Sequence, residues 1–100
     1  MDPAIPNISI SDVVVSTAGR DQGSLYYVIS TDEMFLMLVN GKDRTLDKPK
    51  RKKLRHVQKV LRSETRVAAK IASGDKVLNS ELRRDLAYFA REMQANNLGG

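Results

Sequence analysis

The densest chemical signal in the chain is Lys48-Pro49-Lys50-Arg51-Lys52-Lys53-Leu54-Arg55, six bases in eight positions with no acid among them. Around it, residues 42–62 carry ten bases and two acids, net +8, whereas residues 1–41 are net −4 and residues 63–100 net +1. Positive charge concentrated in this way attracts polyanions, because each phosphate it neutralises releases condensed counterions. A solvated, solubilising face is the plainer alternative. Six bases in eight favour contact with nucleic acid over that reading. An anionic membrane surface is the weaker competitor. It calls for an exposed apolar wedge beside the bases, and Leu54 alone supplies little.

Other chemistries are poorly served. The sequence has no Cys and one His, His56. That excludes disulfides, thiolate metal sites, a Cys nucleophile and any His-rich metal centre. The acids Asp21, Asp32 and Glu33 read as turn residues. Gly19 and Gly23 lead into a strand, not into a helix as a nucleotide-binding loop requires. No convergent base, nucleophile or metal set emerges, so no enzyme and no cofactor are expected. The longest strongly apolar run, Met34 to Val39, has six residues, against the roughly 20 that a bilayer span needs. Residues 1–4 show no basic segment leading into a long apolar stretch, so no secretory signal is expected and a cytoplasmic location fits. At 100 residues, 41% apolar, 29% charged and +5 overall, the composition suits one small folded unit.

The basic run needs elements to hold it. Ile8-Ser9-Ile10 opens with alternation, and Val13-Val14-Val15 is a β-branched run suited to a buried strand. The loop from Ala18 to Gly23 follows, its two glycines marking positive φ or a close backbone approach. Leu25 to Ile29 reads as a second strand and Met34 to Val39 as a third, with Thr31-Asp32-Glu33 turning between them. Asn40-Gly41 signals a two-residue hairpin into a short fourth strand at about Arg44 to Leu46. Strands two and three are apolar on both faces, so one face should line a small barrel and the other needs cover.

The C-terminal third could supply that cover. Ser63 is a candidate N-cap for a helix whose stripe is Val67, Ala68, Ile71 and Ala72, ended by Gly74. Asn79 or Ser80 is the candidate cap of a second helix, with Leu82, Leu86, Phe89 and Met93 on one face. Residues 50–61 are ambiguous. Leu54, Val57 and Leu61 keep helical spacing, whereas a fifth strand over Lys53 to Gln58 would complete a barrel, and the strand is favoured.

Val13-Val14-Val15-Ser16-Thr17-Ala18-Gly19-Arg20-Asp21-Gln22-Gly23, followed by apolar Tyr26, Val28 and Ile29, resembles the KOW motif. That motif occurs in large-subunit ribosomal proteins and in NusG/Spt5-type elongation factors. The continuation Val39-Asn40-Gly41-Lys42, the basic run, and Arg55-His56-Val57-Gln58 resemble a bacterial group of small KOW-domain RNA-binding proteins. These are related to archaeal and eukaryotic KOW-type large-subunit ribosomal proteins. Asn79-Ser80-Glu81-Leu82-Arg83-Arg84 resembles the start of the group's C-terminal helix. The resemblance implies an α+β fold: a small SH3-like barrel of about five antiparallel strands over residues 8–58, then a helical hairpin over residues 61–96. It implies a non-enzymatic RNA-binding protein of the ribosome or translation, with ribosomal RNA or the ribosome as partner. Gly23 matches the family's key glycine. Gln22 departs from the Lys often found at that position, which moves the expected main contact away from the loop.

Together, charge and resemblance nominate Arg20 and Gly23 in the first loop, Lys42 and Arg44 in the hairpin, and Lys48, Lys50, Arg51, Lys52, Lys53 and Arg55 in the run. The bases would contact phosphates, which set position and not sequence. Tyr26 or Tyr27 is a candidate for base stacking, with a core role as the alternative for each. His56 either donates to a phosphate or packs. Two other readings stay open: an adaptor that docks proteins through the C-terminal helices, and a DNA-binding architectural barrel.

Overall fold

The computed structural model describes residues 7–99, so the expectation about residues 1–4 lies outside the described residues. Five strands, β1 (Asp12–Ser16), β2 (Leu25–Thr31), β3 (Phe35–Val39), β4 (Lys50–Lys53) and β5 (Val57–Arg62), form one antiparallel sheet in the order β4-β3-β2-β1-β5. Two helices follow, α1 (Arg66–Ser73) and α2 (Asn79–Gly99). The class is therefore α+β. The sheet is open, with β4 and β5 as its edges.

Both faces of the sheet carry a cluster of buried side chains, as the two-sided apolar strands require. Val14, Tyr26, Val28, Leu36, Leu38 and Val57 fill the inner face, with Ile8 and Leu54 packed at its margin. Val13, Tyr27 and Val39 form the outer face, and Val67, Ala68, Val77, Leu82, Leu86 and Phe89 lie over them. Leu82, Leu86 and Phe89 of the expected stripe are thus packing, each such side chain contributing about 1.5–3 kcal/mol by leaving water, whereas Met93 is half-buried and outside the core cluster. Register shifts at Val13/Val14 and between Val28 and Ser30 interrupt the β1–β5 and β2–β3 ladders. Such bulges bend a sheet. Beneath the helices, the Tyr27 hydroxyl donates to Asp85 Oδ2 at 2.7 Å and lies 2.8 Å from Ser63 Oγ, while Thr65 Oγ1 donates to the same carboxylate oxygen at 2.6 Å. That knot joins β2, the β5–α1 joint and α2. Burial, eased by the bonds from Ser63 and Thr65, pushes the Tyr27 phenol up to about 12.

Four local expectations need correction. Arg44 to Leu46 is not a strand. Asn40 Oδ1 accepts the N–H groups of Lys42 and Arg44 at 2.9 and 3.0 Å, removing donors that a ladder would use. Leu46 N donates instead to Asn79 Oδ1 at 3.2 Å. The real partner of β3 is β4, in the register Phe35↔Lys53 to Leu38↔Lys50, so residues 40–49 are a loop and not a two-residue hairpin. Gly41, at φ +77°, lets that loop lie against α2, where a Cβ would collide with the Asn79 carbonyl oxygen. Arg83 donates to the Gly41 carbonyl from the same helix.

The proposed fifth strand at Lys53 to Gln58 divides into the end of β4, a 3-10 turn at Leu54–His56 and the start of β5. The cap of α1 is Thr65, directly before the helix, whose hydroxyl accepts from Ala68 N at 3.1 Å, whereas Ser63 lies two residues further back and bonds to Tyr27. Gly74 ends the helix at φ 78° as expected. Neither Asn79 nor Ser80 caps α2: Leu82 N donates to the Leu78 carbonyl, and the Glu81 carboxylate accepts the Leu78 N–H at 3.0 Å.

Candidate nucleic-acid interface

The pleat of β4 sorts the basic run. Directly paired residues of antiparallel strands point to the same face. Lys52 pairs with Leu36 and Lys50 with Leu38, both inner-face residues. Arg51 pairs with Met37 and Lys53 with Phe35, so these two point outward.

Inward, the two lysines meet Asp21. Lys52 Nζ lies 2.8 Å from Asp21 Oδ1 and donates to the Ala18 carbonyl at 2.7 Å, and the residue is 8% exposed. Lys50 Nζ lies 2.9 Å from Asp21 Oδ2. The same carboxylate accepts from Tyr26 Oη at 2.7 Å and Ser16 Oγ at 3.0 Å. Burial alone would raise the Asp21 carboxyl, but the bonds from Lys52, Tyr26, Lys50 and Ser16 together hold it well below the usual carboxylate range. Burial and the bond to Asp21 push the Tyr26 phenol up. Asp21 is therefore the post on which the first loop is fastened to β4, and not merely a turn residue.

That loop also depends on Gly19 and Gly23, at φ 87° and 92°. Among the described residues, beyond Gly23 itself and its two chain neighbours, no atom lies within 4 Å of where a Gly23 Cβ would stand. The glycine there serves the left-handed backbone, and no neighbour crowds it. Gly23 N donates to the Ser16 carbonyl at 2.8 Å, closing the loop onto β1.

Outward, the remaining bases stand in solvent. Arg20, Lys42, Lys48, Arg51, Lys53 and Arg55 are exposed and Arg44 is half-buried. The salt bridges among the described residues are Lys50–Asp21, Lys52–Asp21, Lys59–Asp12 and Lys70–Glu81. None of those seven residues takes part. Lys50 and Lys52 are thus separated from the other nominated bases by their shared partner. His56 is half-buried in the 3-10 turn, its carbonyl accepting Thr17 N at 2.9 Å. The stacking expectation for the tyrosines fails, since Tyr26 and Tyr27 are 1% and 0% exposed. The aromatic ring beside the basic run is instead Phe35, with the Arg51 guanidinium carbon 3.7 Å from its centroid.

Sequence reasoning missed both Asp21 and Phe35. A lone acid placed between two loop glycines was the available signal for Asp21. For Phe35 there was none short of the register. Among the described residues, no cluster of three His, Asp or Glu side chains is arranged to hold a metal ion, and no helix is long and apolar enough to cross a membrane. The chain matches no protein-family model and no curated protein.

Proposed function

We propose that this chain is a non-enzymatic RNA-binding protein of the ribosome or translation, a cytoplasmic member of the KOW type. The observation that carries the reading is the set of exposed cations without salt-bridge partners among the described residues, Arg20, Lys42, Lys48, Arg51, Lys53 and Arg55. Evenly solvated bases interleaved with acids would point to solubility alone. Here the acids near the run are either consumed, as Asp21 is, or confined to turns. The strand order, with a 3-10 turn carrying the chain from one edge strand to the other, supports an SH3-like ancestry for the sheet. The glycine loop after β1 supports the KOW resemblance. Contacts of this kind recognise folded RNA by shape and backbone, with bases read where they are unpaired.

A second reading, a protein-docking adaptor, draws on Leu78 and Tyr88, which are 52% and 49% exposed at and along α2. Sedimentation of the tagged protein through a sucrose gradient, with and without RNase, separates the two. The RNA reading expects movement with the large ribosomal subunit at moderate salt and release by RNase. Complexes that survive RNase favour the adaptor. A protein that stays at the top of the gradient throughout contradicts the ribosomal role.

A further inference from the structure

The helices cover the outer face of the sheet unevenly. They lie over Val13, Tyr27 and Val39. Beyond Val39 the same face continues as Met37 and Phe35 on β3, beside Arg51 and Lys53 on β4. Phe35 and Met37 belong to neither core cluster and are half-buried. An apolar strip has therefore been left open beside cations.

Arg51 is the distinctive part of this strip. Its guanidinium sits over the Phe35 ring, yet the residue remains exposed. A guanidinium laid on an aromatic ring has one planar side occupied and the other available, and such planes are good supports for nucleobases. The nearest acids argue against a simple phosphate contact at Arg51 itself. Asp32, anchored in the β2–β3 turn by accepting the N–H groups of Met34 and Phe35 at 2.8 Å, is close enough for the Arg51 charge to help hold its carboxyl low, after those two backbone bonds. Glu33 is exposed next to it. Lys53 and Arg55, also exposed and without salt bridges among the described residues, are better placed for phosphate.

We propose that this open end of the outer face is a stacking site for an unpaired RNA base, which lies on the exposed side of the Arg51 guanidinium while its flanking phosphates meet Lys53 and Arg55. The proposal rests on the RNA-binding reading and deepens it. It assigns Arg51 and Phe35 to base capture and predicts a preference for looped or single-stranded RNA over duplex. The Arg51–Phe35 stack favours a flat base over a phosphate at this position.

The test uses the full chain with two RNAs of equal length, a hairpin carrying 2-aminopurine in its loop and a blunt duplex. The wild-type protein should bind the hairpin about tenfold more tightly and change the fluorescence of the loop base. Arg51→Lys keeps the charge and removes the plane. It should lose about tenfold in hairpin affinity and the fluorescence change, a larger loss than in duplex affinity, with thermal melting unaltered. Phe35→Leu, which removes the support beneath the guanidinium, should act in the same direction. Retention of the hairpin preference and the fluorescence change by both variants would overturn the stacking site. Equal wild-type affinity for the two RNAs without a fluorescence change would overturn it as well while leaving RNA binding intact. Failure to bind either RNA would overturn the RNA reading together with the site.

Discussion

Lys50 and Lys52 differ from Arg51 and Lys53 by one residue of register, and that single step separates two kinds of work. The first pair turns inward, shares Asp21 with Tyr26 and Ser16, and fastens the first loop to an edge strand. The second pair turns outward onto Phe35 and solvent. A basic run counted along the sequence is a single object. On a pleated strand it is two, because successive side chains leave opposite faces. Charge density in a strand therefore overstates the charge available to a partner. A neutralisation spanning Lys50 to Lys53 would mix loss of a loop anchor with loss of a binding surface.

The contrast predicts unequal responses. The largest belongs to Asp21→Ala. It leaves the buried Lys52 ammonium without its counter-charge and the Tyr26 hydroxyl without its acceptor, a defect worth about 3 kcal/mol. In a domain this small, that is a fall in Tm of roughly 12–24 °C by calorimetry. Retention of the wild-type Tm would mean that the loop is held without its post.

Next comes the neighbouring pair Lys52→Gln and Lys53→Gln. The inward change removes charged hydrogen bonds and should cost about 1.5–3 kcal/mol in urea unfolding. The outward one should stay within about 0.5 kcal/mol, as exposed substitutions usually do. Equal costs would abolish the distinction between the two faces.

Acid offers a third way to release the inward pair. Asp21 has its carboxyl held low in the folded chain, so its contribution to stability is complete above the unfolded carboxylate value, about 3.9. That contribution is lost as pH falls through and below that value. Thermal melting between pH 7 and pH 2 should show the wild type losing stability below about pH 4, with a shallower loss in Asp21→Asn. Parallel curves would show that Asp21 is not held low.

Much of the architecture was legible because it follows from local pattern. Val13-Val14-Val15, the two-faced apolar strands, Gly74 and the Leu82-Leu86-Phe89 stripe each declare an element or a buried face without reference to distant residues. The failures occurred where a side chain bonded across the fold. Asn40 reads as half of a tight hairpin, yet its amide captures two backbone donors and opens a loop that Asn79 and Arg83 hold from α2. Ser63 reads as a cap, yet Tyr27 takes its hydroxyl. The ambiguity at residues 50–61 arose because two short strands and a 3-10 turn together mimic helical spacing at Leu54, Val57 and Leu61. In the candidate site the basic residues were visible as composition, but their division into inward and outward sets waited on the register with β3.

The central claim is that the outward cations bind RNA through its phosphates, and the salt dependence of affinity tests it most directly. Contact with about five phosphates predicts a slope near −4 when the logarithm of the association constant for a structured RNA is plotted against that of salt concentration. Replacing Lys48, Lys53 and Arg55 together by Gln should bring the slope to about −1.5, at roughly 0.7–0.9 per lost contact, without lowering the Tm. A wild-type slope near zero, or a triple variant whose affinity and slope match the wild type, would contradict the account.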